Sequence, residues 1–255
     1  MILEDLSFSS LKKISKQEIP EAKGKIRLAL LGDFATQLFK VALLGAGKAY
    51  GLDFEIYESD YDQIDFEILN PQSQLYSFNP DWIILFQNNV SLKQKFYAAE
   101  DKSSFAQLYT DKLNVYYNNT QSKLNSKFVI NNFSKDVDEV YGSYAMKVDV
   151  SFNYQLNLIE QGIQIFLEKS SNAFMIDTAA RVNEVGIANA YDYRMAVNAS
   201  MPFQLDFLAK MALDSAKIVS NHEGRIAKCL ILDLDNTIWG GIIGDDGMEG
   251  IEIGE

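Results

Sequence analysis

Five times between residues 25 and 177, a strand-length run, apolar or alternating, gives way to a longer stretch, most of them with helical spacing. The runs are "KIRLALLGDF" (25–34), "LDFEIYES" (52–59), "DWIILFQ" (81–87), "KFVINNF" (127–133) and "AFMID" (173–177). In the first helical stretch, 35–51, Leu38, Val41, Ala42 and Ala49 fall on one side and Gly51 is a stop. Further helices are expected over 8–16, about 90–123, 146–169 and 178–186, and Asn79-Pro80 starts a turn. Strands that alternate with helices pair in parallel, because each crossover returns the chain to the same end of the sheet. The expected fold is α/β, a doubly wound parallel five-stranded sheet filling about 20–190.

Composition narrows the function. A chain of 255 residues has room for one and a half to two domains, and 47% hydrophobic with 12% aromatic residues supplies a packed core. The formal net charge of −12 argues against nucleic acid, which needs a basic face. Cys229 is the one cysteine, so no internal disulfide exists, and its apolar run suits a buried thiol better than a nucleophile. The N-terminus "MILEDLSFSSLKK" lacks the pattern of a signal peptide, and no apolar run approaches eighteen residues. The expectation is a cytoplasmic protein without a membrane partner, in which the Asn-x-Ser/Thr triplets at Asn118, Asn132 and Asn198 carry no glycan.

A first domain over 1–200 is expected to pass, through a connecting helix at about 202–219 and a hinge at 220–226, to a second domain begun at 227. That second region opens on a sixth apolar run, "KCLILDLD" (228–235). In open α/β sheets, ligands bind beyond the carboxyl ends of the strands, where Asp233 falls. If strand geometry persists, Asp233 and Asp235 share a face, Leu234 points away, and the Asn236-Thr237 turn offers amides to an anion. One carboxylate there can attack phosphorus while its neighbour moves protons, and a hard divalent cation shields the charge. An EF-hand loop counted from Asp233 fails, because Ile238 and Gly244 stand where Gly and Glu are needed. The seven Asp and Glu after Lys228 read mostly as a solvated surface.

"DLDNT" (233–237) resembles the D-x-D-x-T signature of the haloacid dehalogenase-like (HAD) superfamily. Its continuation through Trp239, Gly240, Gly241, Gly244, Asp246 and Gly247 is similar to the FkbH-like branch. The resemblance implies that 227–255 starts a HAD-type Rossmannoid phosphatase domain. It implies Asp233 as nucleophile and Mg²⁺ ligand, and Asp235 as acid/base and Mg²⁺ ligand through its carbonyl. Leu234, Asn236 and Thr237 would complete the loop around the phosphate, Thr237 as its buttress. The family setting implies a phosphorylated small molecule as substrate, an acyl carrier protein as partner, and work in acyl-carrier loading or polysaccharide biosynthesis. The remaining phosphate-holding and metal-binding groups of a HAD site lie further along such chains. The expectation is therefore a fragment of a longer protein, inactive by itself, with a truncated gene product as the other possibility.

FkbH-like proteins also carry an SGNH-hydrolase-like region ahead of the phosphatase domain, and the five βα units fit it. Where SGNH enzymes have Gly-Asp-Ser, this chain has Gly32-Asp33-Phe34. Gln87-Asn88-Asn89 retains an oxyanion-type amide, and Asp177 retains the aspartate of Asp-x-x-His while Ala180 replaces the histidine. His222, the only histidine, falls in the presumed hinge. Without serine and base this domain is not expected to hydrolyse esters. Asp33, Asn88 and Asp177 read as the lining of a binding platform for a carrier protein or sugar, or equally as helix and turn caps. "GAGK" (45–48) is no P-loop, because Ala42 and Ala49 stand where Walker A needs Gly and Ser/Thr.

Overall fold

A computed structural model describes residues 6–18, 24–135, 140–224, 232–247, 249–250 and 252. The chain divides into two compact units, Met1–Val219 and Ser220–Glu255.

In the first unit, β1 (Lys25–Gly32), β2 (Asp53–Glu58), β3 (Trp82–Phe86), β4 (Lys127–Asn131) and β5 (Ala173–Ile176) form one sheet in the order β2-β1-β3-β4-β5. Every pair is parallel, with Leu28 opposite both Ile56 and Trp82. The expected doubly wound sheet is therefore present.

Strand alternation divides the core in two. Leu28, Leu30, Trp82, Ile84 and Phe86 face a cluster that includes α1 (Phe8–Ile14), α2 (Gln37–Ala49) and α11 (Leu205–His222). Ala29, Leu31, Ile83, Leu85, Phe128 and Ile130 face the other side. There they meet α3 (Ile64–Leu69), α4 (Gln74–Phe78), α5 (Asn89–Ala98), α6 (Phe105–Lys123) and α7 (Phe152–Lys169). The crossover after β1 thus runs over one face and the crossovers after β2, β3 and β4 over the other. After β5, α8 (Thr178–Val185) returns to the first face through Val182, followed by α9 (Ile187–Ala190) and α10 (Tyr193–Ala199). Gly45 lets α2 lie against α1, since a Cβ there would sit 2.1 Å from the Leu11 carbonyl oxygen.

Four elements differ from expectation, each for a local reason. The helix expected over 90–123 is two, α5 and α6. Between them Asp101 Oδ1 accepts from the backbone nitrogens of Ser103 and Ser104, a side-chain turn that competes with helix. The helix expected from 146 starts at Phe152, because the Ser151 hydroxyl caps it by accepting from Tyr154 N, after a 3₁₀ turn at Gly142–Lys147. The helix expected as a connector also belongs to the first core: Phe207, Leu208, Met211, Ala212 and Ala216 of α11 lie in its cluster. Arg181 of α8 clamps α11 by donating Nε and Nη2 to the two carboxylate oxygens of Asp214, at 2.8 and 2.7 Å. The helix also runs on to His222, into the stretch expected to be a hinge.

The sixth strand falls mostly on 225–231, outside the described residues. Residues 232–234 are not in a strand. No described residue pairs with them in a ladder, and an unpaired strand leaves its backbone groups unsatisfied. Among the described residues, no helix is long and apolar enough to cross a membrane.

Candidate functional site

The nucleophile position of an SGNH enzyme is filled by hydrocarbon. Phe34 follows β1 and is 2% exposed, with its ring edge-on to Phe86 at 5.4 Å and to Phe203 at 5.3 Å. Phe86 in turn stacks on Phe39 at 4.7 Å and on Phe203 at 5.5 Å. Such offset and edge contacts add to the burial itself.

Asp33, beside it, is equally buried. Its Oδ1 accepts from Asn88 N at 3.0 Å and Asn88 Nδ2 at 2.7 Å. Asn88 Oδ1 accepts from Ser91 N at 2.9 Å and caps α5. The Asn88 amide is therefore spent on Asp33 and on the helix, and offers no oxyanion pocket. Asp177 stands apart at the end of β5, with β4 between it and β3. Exposed, it accepts from Ala180 N at 3.0 Å as the cap of α8 and from Asn132 Nδ2 at 2.8 Å. The three residues do not converge: Asn88 and Asp177 are caps, and Asp33, without the other two, lines a cavity of about 370 Å³. Lys95 and Tyr109, which also line it, carried no sequence signal, since a lysine and a tyrosine on polar helices read as solvated faces.

Burial pushes the Asp33 carboxyl up to about 6, against the opposing pull of Lys95 and the hydrogen bonds from Asn88. The folded chain keeps this proton to about pH 6, whereas the unfolded chain releases it near the ordinary 3.8. Between those values the folded state binds more protons, so this group costs stability as pH rises. The penalty is absent below the lower value and complete above the upper one. Asp33→Asn removes the titration. The unfolding free energy of the variant relative to wild type should rise by about 2 kcal/mol between pH 4 and pH 7, read by urea denaturation at each pH.

The second unit holds the residues of the D-x-D-x-T stretch. Asp233 and Leu234 are exposed, and Asp235 is half-buried. Asn236 adopts φ +53°, the left-handed region that Asn tolerates. Its backbone nitrogen donates to the Gly241 carbonyl at 3.2 Å, and Gly241 N donates back to Asn236 Oδ1 at 2.9 Å. Leu234 O accepts from Ile238 N at 3.0 Å and more weakly from Thr237 N at 3.4 Å. The turn amides expected to receive an anion are thus used within the loop. Asp235 Oδ1 accepts from Trp239 Nε1 at 3.1 Å and Ile243 N at 3.2 Å. That gives the tryptophan of Trp-Gly-Gly a physical role, orienting the second aspartate, which the motif alone did not disclose. Gly240 and Glu252 exchange backbone bonds of 2.7 and 2.9 Å and close the loop.

The family described as FkbH, N-terminal domain, matches residues 27–220, which run from β1 into α11. The chain belongs to this family. Among solved structures, the N-terminal part of BF1531 from Bacteroides fragilis, containing a phosphatase domain complexed with Mg, matches this FkbH-family chain with a TM-score of 0.84. Identity is 32%, over 98% of this chain and 66% of that one, so the chain spans about 66% of that relative's length. A protein named as a GDSL-like lipase from Parabacteroides merdae matches with a TM-score of 0.52 at 12% identity, over 79% of this chain and 100% of its own. A catalytic mutant of the acetylxylan esterase Axe2 from Geobacillus stearothermophilus matches at 0.50 and 15%, over 76% and 93%. These last two share the fold alone. No curated protein matches the chain.

Proposed function

We propose that this FkbH-family chain carries the nucleophile loop of a magnesium-dependent HAD-type phosphatase or phosphotransferase of the cytoplasm, acting on a phosphorylated small molecule. The observation that carries the reading is the Asp-x-Asp-x-Thr loop at 233–237, together with the likeness over 98% of the chain to a structure containing a phosphatase domain complexed with Mg. A carboxylate oxygen of Asp233 attacks phosphorus and forms an aspartyl-phosphate as the bond to the leaving oxygen breaks. Asp235, held by Trp239 and by the Ile243 amide, donates its proton to that oxygen. It then takes a proton from water, whose oxygen attacks the acyl phosphate, releasing phosphate and restoring the Asp233 carboxylate. In phosphotransfer an acceptor hydroxyl replaces the water. An acyl carrier protein or a polysaccharide precursor fits the acceptor side.

The donors fit the metal in kind. Magnesium is commonly held by one or two carboxylates, with water and substrate phosphate completing six oxygens. Asp233 offers one carboxylate and Asp235 a backbone carbonyl oxygen, and among the described residues no group of three acidic, His or Cys side chains forms a closed cage. Magnesium would supply charge neutralisation between Asp233 and the phosphate oxygens. In the full-length protein, EDTA should abolish phosphate release from p-nitrophenyl phosphate, and added Mg²⁺ should restore it. Turnover that persists in EDTA would dismiss the metal-dependent reading.

A further inference from the structure

We propose that the cavity beside Asp33 in the first unit binds an uncharged polyhydroxylated ring of the glycoside class, a site independent of the phosphoryl chemistry at Asp233. Its position is one that open α/β sheets reserve for ligands. Asp33 follows β1 and Gln87 follows β3, and the crossovers from these neighbouring strands leave over opposite faces, which opens a crevice at their carboxyl ends. Asp62 and Asp65 reach it from the loop and helix after β2, and α5 and α6 wall it. A volume of about 370 Å³ lies in the range of small-ligand sites, roughly 300–1,000 Å³.

The charges choose the ligand class. Lys112 Nζ donates to Asp65 Oδ2 at 2.8 Å, and the Tyr116 hydroxyl donates to the other oxygen of the same carboxylate. Lys95 Nζ stands 3.4 Å from Asp62 Oδ1 and 3.8 Å from Asp33 Oδ2. Every carboxylate that lines the cavity therefore faces a lysine. An incoming anion must compete with carboxylates for the ammonium groups, and an incoming cation must compete with lysines for the carboxylates. A hydroxyl competes with neither, because it both donates and accepts.

The Asp33–Lys95 gap adds a specific recognition element. At 3.8 Å the pair attracts but is too long for a hydrogen bond, so acceptor and donor each keep capacity for an inserted group. Adjacent hydroxyls on a ring fit this spacing: one donates to Asp33 Oδ2 and its neighbour accepts from Lys95 Nζ. Nearby, the Tyr109 hydroxyl donates to Gln87 Oε1 at 2.9 Å, which leaves the phenol oxygen an acceptor. The same lining includes Leu92, Phe105 and Leu108, apolar surface for the C–H face of a sugar ring.

Saturation-transfer NMR on the full-length protein tests the assignment, with the methyl glycosides of glucose, galactose and mannose as probes and acetate and choline as charged controls. At least one glycoside should bind at millimolar concentration, and neither control should. Lys95→Met should weaken that binding roughly 10-fold, the value of one hydrogen bond to a charged group. Leu108→Trp, at an exposed position on the cavity wall, should weaken it at least as much by filling the space without touching the core. Transfer to acetate or choline with none to a glycoside would overturn the ligand class. No transfer to any probe would overturn the proposal, as would glycoside binding unchanged in both variants.

Discussion

In the full-length protein, Asp233→Asn should lower phosphate release from p-nitrophenyl phosphate by roughly 10⁴-fold or more, the scale on which loss of a covalent nucleophile acts. The amide keeps the shape of the carboxylate and removes its charge and nucleophilicity together. Folding gives no competing explanation, because Asp233 is exposed and replacement of an exposed acid by its amide changes stability little. Asp235→Asn should also fall steeply, but for a different reason. Its Oδ1 still accepts from Trp239 and Ile243, so the loop stands while the proton transfer fails. A leaving group that needs no protonation, such as p-nitrophenolate, should therefore recover part of the first half-reaction in Asp235→Asn and none of it in Asp233→Asn.

Phe34→Ala should cost about 3–5 kcal/mol of unfolding free energy, measured by urea denaturation. The ring is 2% exposed and lies against both Phe86 and Phe203, so its removal opens a void between β1, β3 and the segment leading into α11. Three further aromatic contacts, of Phe86 with Phe39 and of Phe203 with Phe86 and Tyr191, hold the rest of the cluster in place and hinder its collapse into the space. That loss is a large share of the roughly 5–15 kcal/mol that holds a typical domain together. Phe34→Ser makes the same void and restores the residue type of an SGNH nucleophile. It should not hydrolyse p-nitrophenyl acetate faster than wild type, because Ala180 stands where the base would be and Asn88 is committed to Asp33.

The sheet was readable because most of its strands are apolar runs, and β2, at the sheet edge, alternates. Leu28 and Leu30 feed one core cluster while Ala29 and Leu31 feed the other, so β1 is apolar at every buried position. Helix boundaries were less readable because they depend on single side chains. Asp101 breaks the helix expected over 90–123, and Ser151 delays the one expected from 146. The role of α11 was hidden for another reason. An amphipathic helix after the last strand looks the same whether it only links domains or also covers the sheet, and its place in the first core cluster shows the second.

The site divides in the same way. Loss of the SGNH serine was visible at Phe34, and the phosphatase signature at 233–237 is contiguous in the chain. The cavity was not visible, because Asp33, Lys95 and Lys112 come from three separate elements and no local spacing joins them. Position alone groups Asp33, Asn88 and Asp177 as one lining. Hydrogen bonding assigns them separate tasks, with Asn88 fixing Asp33 and Asp177 starting α8. Trp239 was part of a motif without a mechanism until its indole nitrogen proved to hold Asp235.

Trapping the covalent intermediate tests the account at its centre. The full-length protein, quenched in acid during turnover of a phosphorylated substrate and digested for mass spectrometry, should carry an acid-stable, hydroxylamine-sensitive phosphoryl group on Asp233. Phosphate on any other residue, or sustained turnover with no phosphoenzyme and full activity in Asp233→Asn, would contradict it.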